Sequence, residues 1–247
     1  MRVRFRFVKV GKVRFVSHRD LARCWERALR RARLPIAYTE GFSPRPKVHF
    51  GLALSVGHES LAEYLDVDLQ VDPGSGGPAI DGVQAEIEDL PARLSPALPE
   101  GVDITGAVVV PHIGAVSLQQ AVTCCTWQID MGSQSSISQL DEAINRALEA
   151  PELIVTRTRK GKDVTEDIRP LVRSLEITDA RNDGVVITAD LGTQPRSLRP
   201  SELISALGPS LRERRVMRLH QWIESDGERR EPIPAPPSMA RTEVCAS

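Results

Sequence analysis

Ser17, His18 and Asp20 fall within four positions of one another in RFVSHRDLARCWERALRRA, residues 14–32. A hydroxyl, an imidazole and a carboxylate are the parts of a nucleophilic catalytic site. The same residues also fit the way a helix begins. With Ser17 at the N-cap, its hydroxyl takes the amide of the third helical residue, and Asp20 at that position reaches back to the Ser17 amide. This capping box accounts for Ser17 and Asp20 and leaves His18 over. At the first helical position its ring projects outward, as a candidate general base or as a hydrogen-bonding surface residue.

The arginines after His18 carry a second kind of chemistry. At 100° per residue, Leu21, Trp25, Ala28, Leu29 and Ala32 share one side of the expected helix, and Arg19, Arg23, Arg27 and Arg30 share the other, with Arg31 beside them. A guanidinium grips phosphate by a planar fork, so a helix with its Leu/Trp side buried offers a ridge of phosphate contacts. The loop GFSPRPK, residues 41–47, adds Arg45, Lys47 and Phe42, the ring either stacking on a base or packing into the core. A second cluster comprises Arg157, Arg159, Lys160, Lys162, Arg169 and Arg173. If the two halves pack side by side, both clusters line one cleft. Charge follows the same division. Residues 1–50 hold 14 basic and 3 acidic residues, a net of +11 within a chain of net −1. The excess points to a polyanionic partner, nucleic acid first, or to an acidic protein face.

The elements that must position these groups read from periodicity. Val3, Phe5 and Phe7 alternate with Arg2, Arg4 and Arg6 in a strand with one apolar and one cationic face. A helix of about fifteen residues follows Ser17 and stops before Leu34-Pro35. Strands are expected over 48–54 and 62–71, a helix broken by Pro91 over 79–98, and a strand over 102–110. The second half repeats the order, with a strand over 118–130, a helix over 135–149, strands over 152–158, 171–178 and 184–191, a helix over 200–207 and a strand over 216–224. The fold expected is α+β, two tandem ferredoxin-like (βαββαβ) units with antiparallel sheets: 1–112, which is basic, and 113–224. Residues 225–247, polar and proline-rich, are expected to be a disordered tail.

Cys24, Cys124, Cys125 and Cys245 show no C-x-x-C spacing, and Cys124 and Cys125 on a strand point to opposite faces. No metal site is expected, and the cysteines read as reduced thiols. No apolar run approaches the ~20 residues that span a bilayer, and the N-terminus alternates instead of forming a signal-peptide block. A cytoplasmic protein without a membrane partner is expected.

From KVGKVRFVSHRDLARCWERALRRARLPIAYTEGFSPRPKVHFGLALSVGHESLAEYLDVDL to KGKDVTEDIRPLVRSLEI, the chain resembles the bacterial radical-SAM-associated domain of unknown function. That domain is fused to, or encoded beside, a B12-type radical SAM protein. Family-like positions include Lys9, Gly11, Ser17, His18, Asp20, Arg27, Arg30, Arg31, Phe42, Lys47, Gly57 and Glu63, with Lys160, Gly161, Lys162, Asp167 and Arg169 later. The resemblance implies a radical SAM partner acting in trans. S-adenosylmethionine, an iron–sulfur cluster and cobalamin would then belong to that partner, with no cofactor in this chain. The leading expectation is a non-catalytic RNA-binding or substrate-presenting subunit in RNA- or ribosome-linked modification. The alternatives are a metal-independent endoribonuclease of the tandem ferredoxin-like type, with His18 as general base, and a protein–protein adaptor.

Overall fold

The computed structural model describes residues 1–70, 87–110, 116–132, 136–159, 161–181 and 184–233. The chain divides into two compact units, Met1–Ala121 with Arg229–Ser247, and Val122–Glu228. Both are mixed α+β units built on antiparallel sheets.

In the first unit, β1 (Arg2–Lys9) leads through a 3-10 turn (Gly11–Phe15) into α1 (His18–Arg31). Then come β2 (Val48–Phe50), β3 (Glu59–Asp68), α2 (Leu90–Leu94) and β4 (Ile104–Val110). The strands lie in the order β4-β1-β3-β2, every neighbouring pair antiparallel. Val3, Phe5 and Phe7 face α1, where both phenyl rings meet Trp25, at centroid distances of 5.8 and 5.1 Å. Leu21, Ala28, Leu29, Leu65, Val67, Leu90, Leu94 and Ile104 complete this core. Pro91 sits in the first turn of α2, where its missing N–H would have had no helical partner. Residues 79–86 of the helix expected there lie outside the described residues. One glycine is obligatory. Gly101, at φ +84°, would place a Cβ 2.2 Å from the Val10 carbonyl oxygen.

The opposite face of β1 holds a ladder of charges. Arg2 stands across from Asp68, Arg4 from Asp66 and Arg6 from Tyr64. The Nε and Nη2 of Arg4 donate to the two carboxylate oxygens of Asp66 at 2.8 and 3.0 Å, and Arg2 grips Asp68 in the same way at 2.6 and 3.1 Å. Arg6 Nε donates to the Tyr64 hydroxyl at 3.2 Å, and its Nη2 lies 3.6 Å from Glu231. Arg4, Arg6, Asp66 and Asp68 are all buried. The cationic strand face is therefore matched within the fold, and these arginines do not belong to the outward charge of the basic segment.

The first strand of the second unit is β5 (Cys124–Asp130), which follows a short helix of the first unit, α3 (Leu118–Ala121). The single strand expected over 118–130 is thus a helical turn followed by a strand. The Ser117 carbonyl accepts from the amides of Gln120 and Ala121, which closes that turn. Next come α4 (Ile137–Glu149), β6 (Ile154–Arg159), β7 (Lys162–Asp167), β8 (Val172–Arg181), β9 (Gly184–Gly192), α5 (Pro200–Leu207) and β10 (Arg215–Ser225). The sheet order is β10-β5-β9-β8, antiparallel throughout, while β6 and β7 form a separate hairpin. Leu140, Ala143, Ile144 and Ala147 of α4 are buried, as are Leu203, Ile204 and Leu207 of α5. Cys124 and Cys125 are both buried. Beyond Ser225, β11 (Glu228–Arg230) leads to Ile233, which is buried beside Tyr64 and Leu118. This stretch of the expected tail is structured; residues 234–247 lie outside the described residues. No helix among the described residues is long and apolar enough to cross a membrane.

The ladder sets a test of the first unit. Arg4→Met leaves Asp66 buried without its cation and is expected to lower unfolding free energy in urea by about 3–5 kcal/mol. Arg4→Met combined with Asp66→Leu is expected to recover most of that loss, and equal instability of the two variants would contradict this role.

Candidate functional site

Two surfaces of the first unit carry the residues singled out by sequence. The first is the outer side of α1. Ser17 is the N-cap, and its Oγ accepts from the Asp20 amide at 3.2 Å. The return arm differs from the expected box: Asp20 Oδ2 accepts from the Ser17 hydroxyl at 2.8 Å, and Oδ1 takes Arg23 Nη1 at 3.1 Å. Leu21, Trp25, Ala28 and Leu29 are buried, and Arg19, Arg23, Arg27, Arg30 and Arg31 are exposed. Arg23 is tied to Asp20, and Arg27 Nη2 donates to Cys24 Sγ at 3.2 Å. From Arg19 to Arg30 the ridge runs eleven residues, about 16 Å of helix. Arg45 is also exposed, and Lys47 is half-buried.

The second is a recess beside the first turn of α1. It is lined by Lys9 from the end of β1, His18 and Leu21 from α1, Glu63 and Tyr64 from β3, and the stretch Phe50–Leu54. It leaves about 10 Å³ for the centre of a water molecule, room for about one water. The His18 ring is exposed and meets Phe50 edge-on at 4.9 Å. Lys9 is 2% exposed, and its Nζ donates to the carbonyls of Val16 at 3.0 Å and Arg14 at 3.4 Å. The Tyr64 side chain itself lies on the opposite face of β3, beside Arg6, Leu118 and Ile233, where burial, and next the charge of Glu231, push its phenol well above its ordinary pKa. Its hydroxyl donates to the Ile233 carbonyl at 3.3 Å. Glu59 anchors the adjoining turn, accepting from the Gly11 amide at 2.6 Å with Arg14 at 3.5 Å. Sequence reading singled out His18, as an outward-facing residue. It did not assign Lys9, Glu63 or Tyr64 to the same site, because only the β1–β3 register brings them to it. The signal available was a lysine at the end of a cationic strand and a glutamate on the apolar side of an acidic one.

The cluster of the second unit is partly committed to its own fold. Arg169 Nη2 donates to the Leu148 carbonyl in the last turn of α4 at 2.8 Å, and Nη1 donates to Val172 at 3.1 Å. Arg157 Nε meets Glu166 at 2.6 Å and Glu202 at 3.7 Å, and Arg196 joins both acids at 2.9 and 2.7 Å. Hydrogen bonds from Arg196 and Arg157 hold the Glu166 carboxyl below its usual range. Lys162 and Arg173 are exposed. Arg159 is the last residue of β6, and Lys160 lies outside the described residues. No group of three or more His, Cys, Asp or Glu among the described residues could hold a metal ion.

Residues 2–200 match the family described as an uncharacterised protein conserved in bacteria, DUF2344. The chain belongs to that family. No curated protein matches the chain. Within DUF2344 proteins of this sequence, the α1 ridge and the recess both fall inside the matched span.

The Glu166 bridge gives a pH test. A carboxyl with a lowered folded-state pKa contributes stability above its ordinary pKa and loses it as pH falls through the lowered one. Wild type is expected to exceed Glu166→Gln by under about 1 kcal/mol at pH 7, the bridge being solvent-screened. Urea unfolding should show that difference vanishing at acid pH, and a difference constant with pH would contradict the assignment.

Proposed function

We propose that this chain is a non-catalytic RNA-binding or substrate-presenting subunit, with the outer side of α1 as its phosphate-binding surface. The observation that carries the reading is the ridge itself: Arg19, Arg27, Arg30 and Arg31 stand exposed, and among the described residues only Arg23 of the five is tied to an acid. Planar guanidiniums one helical turn apart suit a chain of phosphates better than solubility alone requires. The strand orders β4-β1-β3-β2 and β10-β5-β9-β8, with helices after the first and third strands, support reading the chain as two tandem ferredoxin-like units. We place it in the cytoplasm beside a radical SAM protein that acts on RNA or the ribosome, on the strength of the sequence resemblance. Such a partner would carry the S-adenosylmethionine, iron–sulfur cluster and cobalamin.

One observation favours a second reading. His18 lines the same recess as Lys9 and Glu63, so an imidazole, a cation and a carboxylate border one small opening. In a metal-independent endoribonuclease the imidazole would take the 2′-hydroxyl proton, and a cation would stabilise the charged phosphorane.

Anisotropy titration of a labelled RNA against salt tests both. Replacing Arg19, Arg23, Arg27 and Arg30 with Ala is expected to weaken binding at least tenfold. It should also flatten the log K against log salt slope by about 0.7 for each phosphate of a single strand that is no longer neutralised. An unchanged slope would sink the ridge assignment. His18→Ala is expected to leave binding intact; cleavage by wild type that disappears in this variant would favour the enzyme.

A further inference from the structure

We infer that the ligand of the α1 ridge is single-stranded RNA, its unstacked bases taken up by aromatic rings exposed at the two ends of the ridge. This rests on the RNA-binding reading and names the substrate class. The chain has only ten aromatic residues. Of those, Phe15, Tyr38 and Phe42 stand out in water at 63%, 45% and 110% exposure, and all three flank α1 in sequence. Aromatic side chains bury more apolar area than almost any other, and these three leave π faces open to a ligand around one helix.

Their placement is set by the fold. Lys9 Nζ holds the Val16 carbonyl, which puts Phe15 and the start of α1 at the far end of β1. Ile36 bridges Leu69, whose amide donates to the Met1 carbonyl at 2.8 Å, which puts the chain after α1 at the near end of β1. There Tyr38 bridges Pro46, and the Thr39 amide donates to the Arg45 carbonyl at 2.9 Å while the Arg45 amide donates to Thr39 Oγ1 at 3.0 Å. Phe42 therefore rides the tip of a closed loop stiffened by Pro44 and Pro46, with Arg45 beside it. At the other end the Arg14 guanidinium carbon lies 4.7 Å from the Phe15 ring centroid, a cation–π contact. The eight residues of β1 separate the two ends by about 25 Å.

A duplex keeps its bases stacked inside and offers these rings nothing. A single strand offers a π face at every base, while its phosphates remain free for the arginines. The alternative occupant, an acidic protein whose pocket takes Phe42, shares the charge but not the base.

The test compares a labelled 12-nucleotide single strand with a blunt duplex of the same sequence, at one salt concentration, against the full chain. The single strand is expected to bind at least tenfold more tightly. Phe42→Ala is expected to weaken it about 5- to 150-fold, the effect of removing one stacked base, with an unchanged salt slope and unchanged duplex affinity. Phe42→Trp is expected to retain binding, and thermal unfolding should show both variants folded, since the ring lies outside the core. Equal affinity for the duplex, or no effect of Phe42→Ala while the four-arginine variant still weakens binding, overturns this inference and leaves the RNA reading standing. No binding of either RNA even at low salt overturns both.

Discussion

The paired charges between β1 and β3 are the constraint on which the first unit depends. Arg2 with Asp68 and Arg4 with Asp66 are bidentate, directly opposed and largely withdrawn from water. A buried guanidinium without its carboxylate is severely destabilising, so the ladder tolerates only one register. A slip of one residue would also turn Val3, Phe5 and Phe7 away from Trp25. Charge matching on one face and apolar packing on the other therefore select the same alignment. That alignment turns the apolar stripe of α1 inward, which leaves its arginines outside.

The same residue type meets two fates within thirty positions. On β1, Arg2 and Arg4 are neutralised by Asp68 and Asp66, Arg6 is met by Tyr64 and Glu231, and the face adds little to the outer field. On α1, the neighbours at one helical turn are other arginines, and the field adds. The +11 of the first fifty residues therefore overstates the charge that a ligand meets, and the exposed part is concentrated on one ridge. In the second unit, Arg157 and Arg169 are held by Glu166 and by helix-end carbonyls, which makes that cluster weaker than its sequence suggests. A basic run measures potential only after the ion pairs inside the fold are subtracted.

The recess illustrates a different limit. Phe7 lies opposite Glu63 in the β1–β3 register, on the side that faces α1. This puts a carboxylate beneath the first turn of the helix, where His18 and Lys9 also arrive. Four segments, from Lys9 to Tyr64, build it, and no local pattern announces their meeting. The opening admits about one water, so its chemistry belongs to small groups and to protons unless the Phe50–Leu54 stretch shifts.

Much of the local structure was legible in the amino-acid order, because it depends on neighbours. The alternation of β1, the cap at Ser17, the inward face of α1 and the stop before Pro35 follow from periodicity, hydrogen-bonding groups and ring geometry. The helical turn at 118–121 was not legible, since four residues, Leu-Gln-Gln-Ala, are too few for periodicity to separate helix from strand. Membership of the DUF2344 family also follows from the residues alone. Only the tertiary structure decided which charges survive at the surface, that Phe42 lies outside the core, and that Lys9, His18 and Glu63 share one recess. The physical reason is that burial and ion pairing are properties of residues distant along the chain, and those distances are set by strand register rather than by spacing.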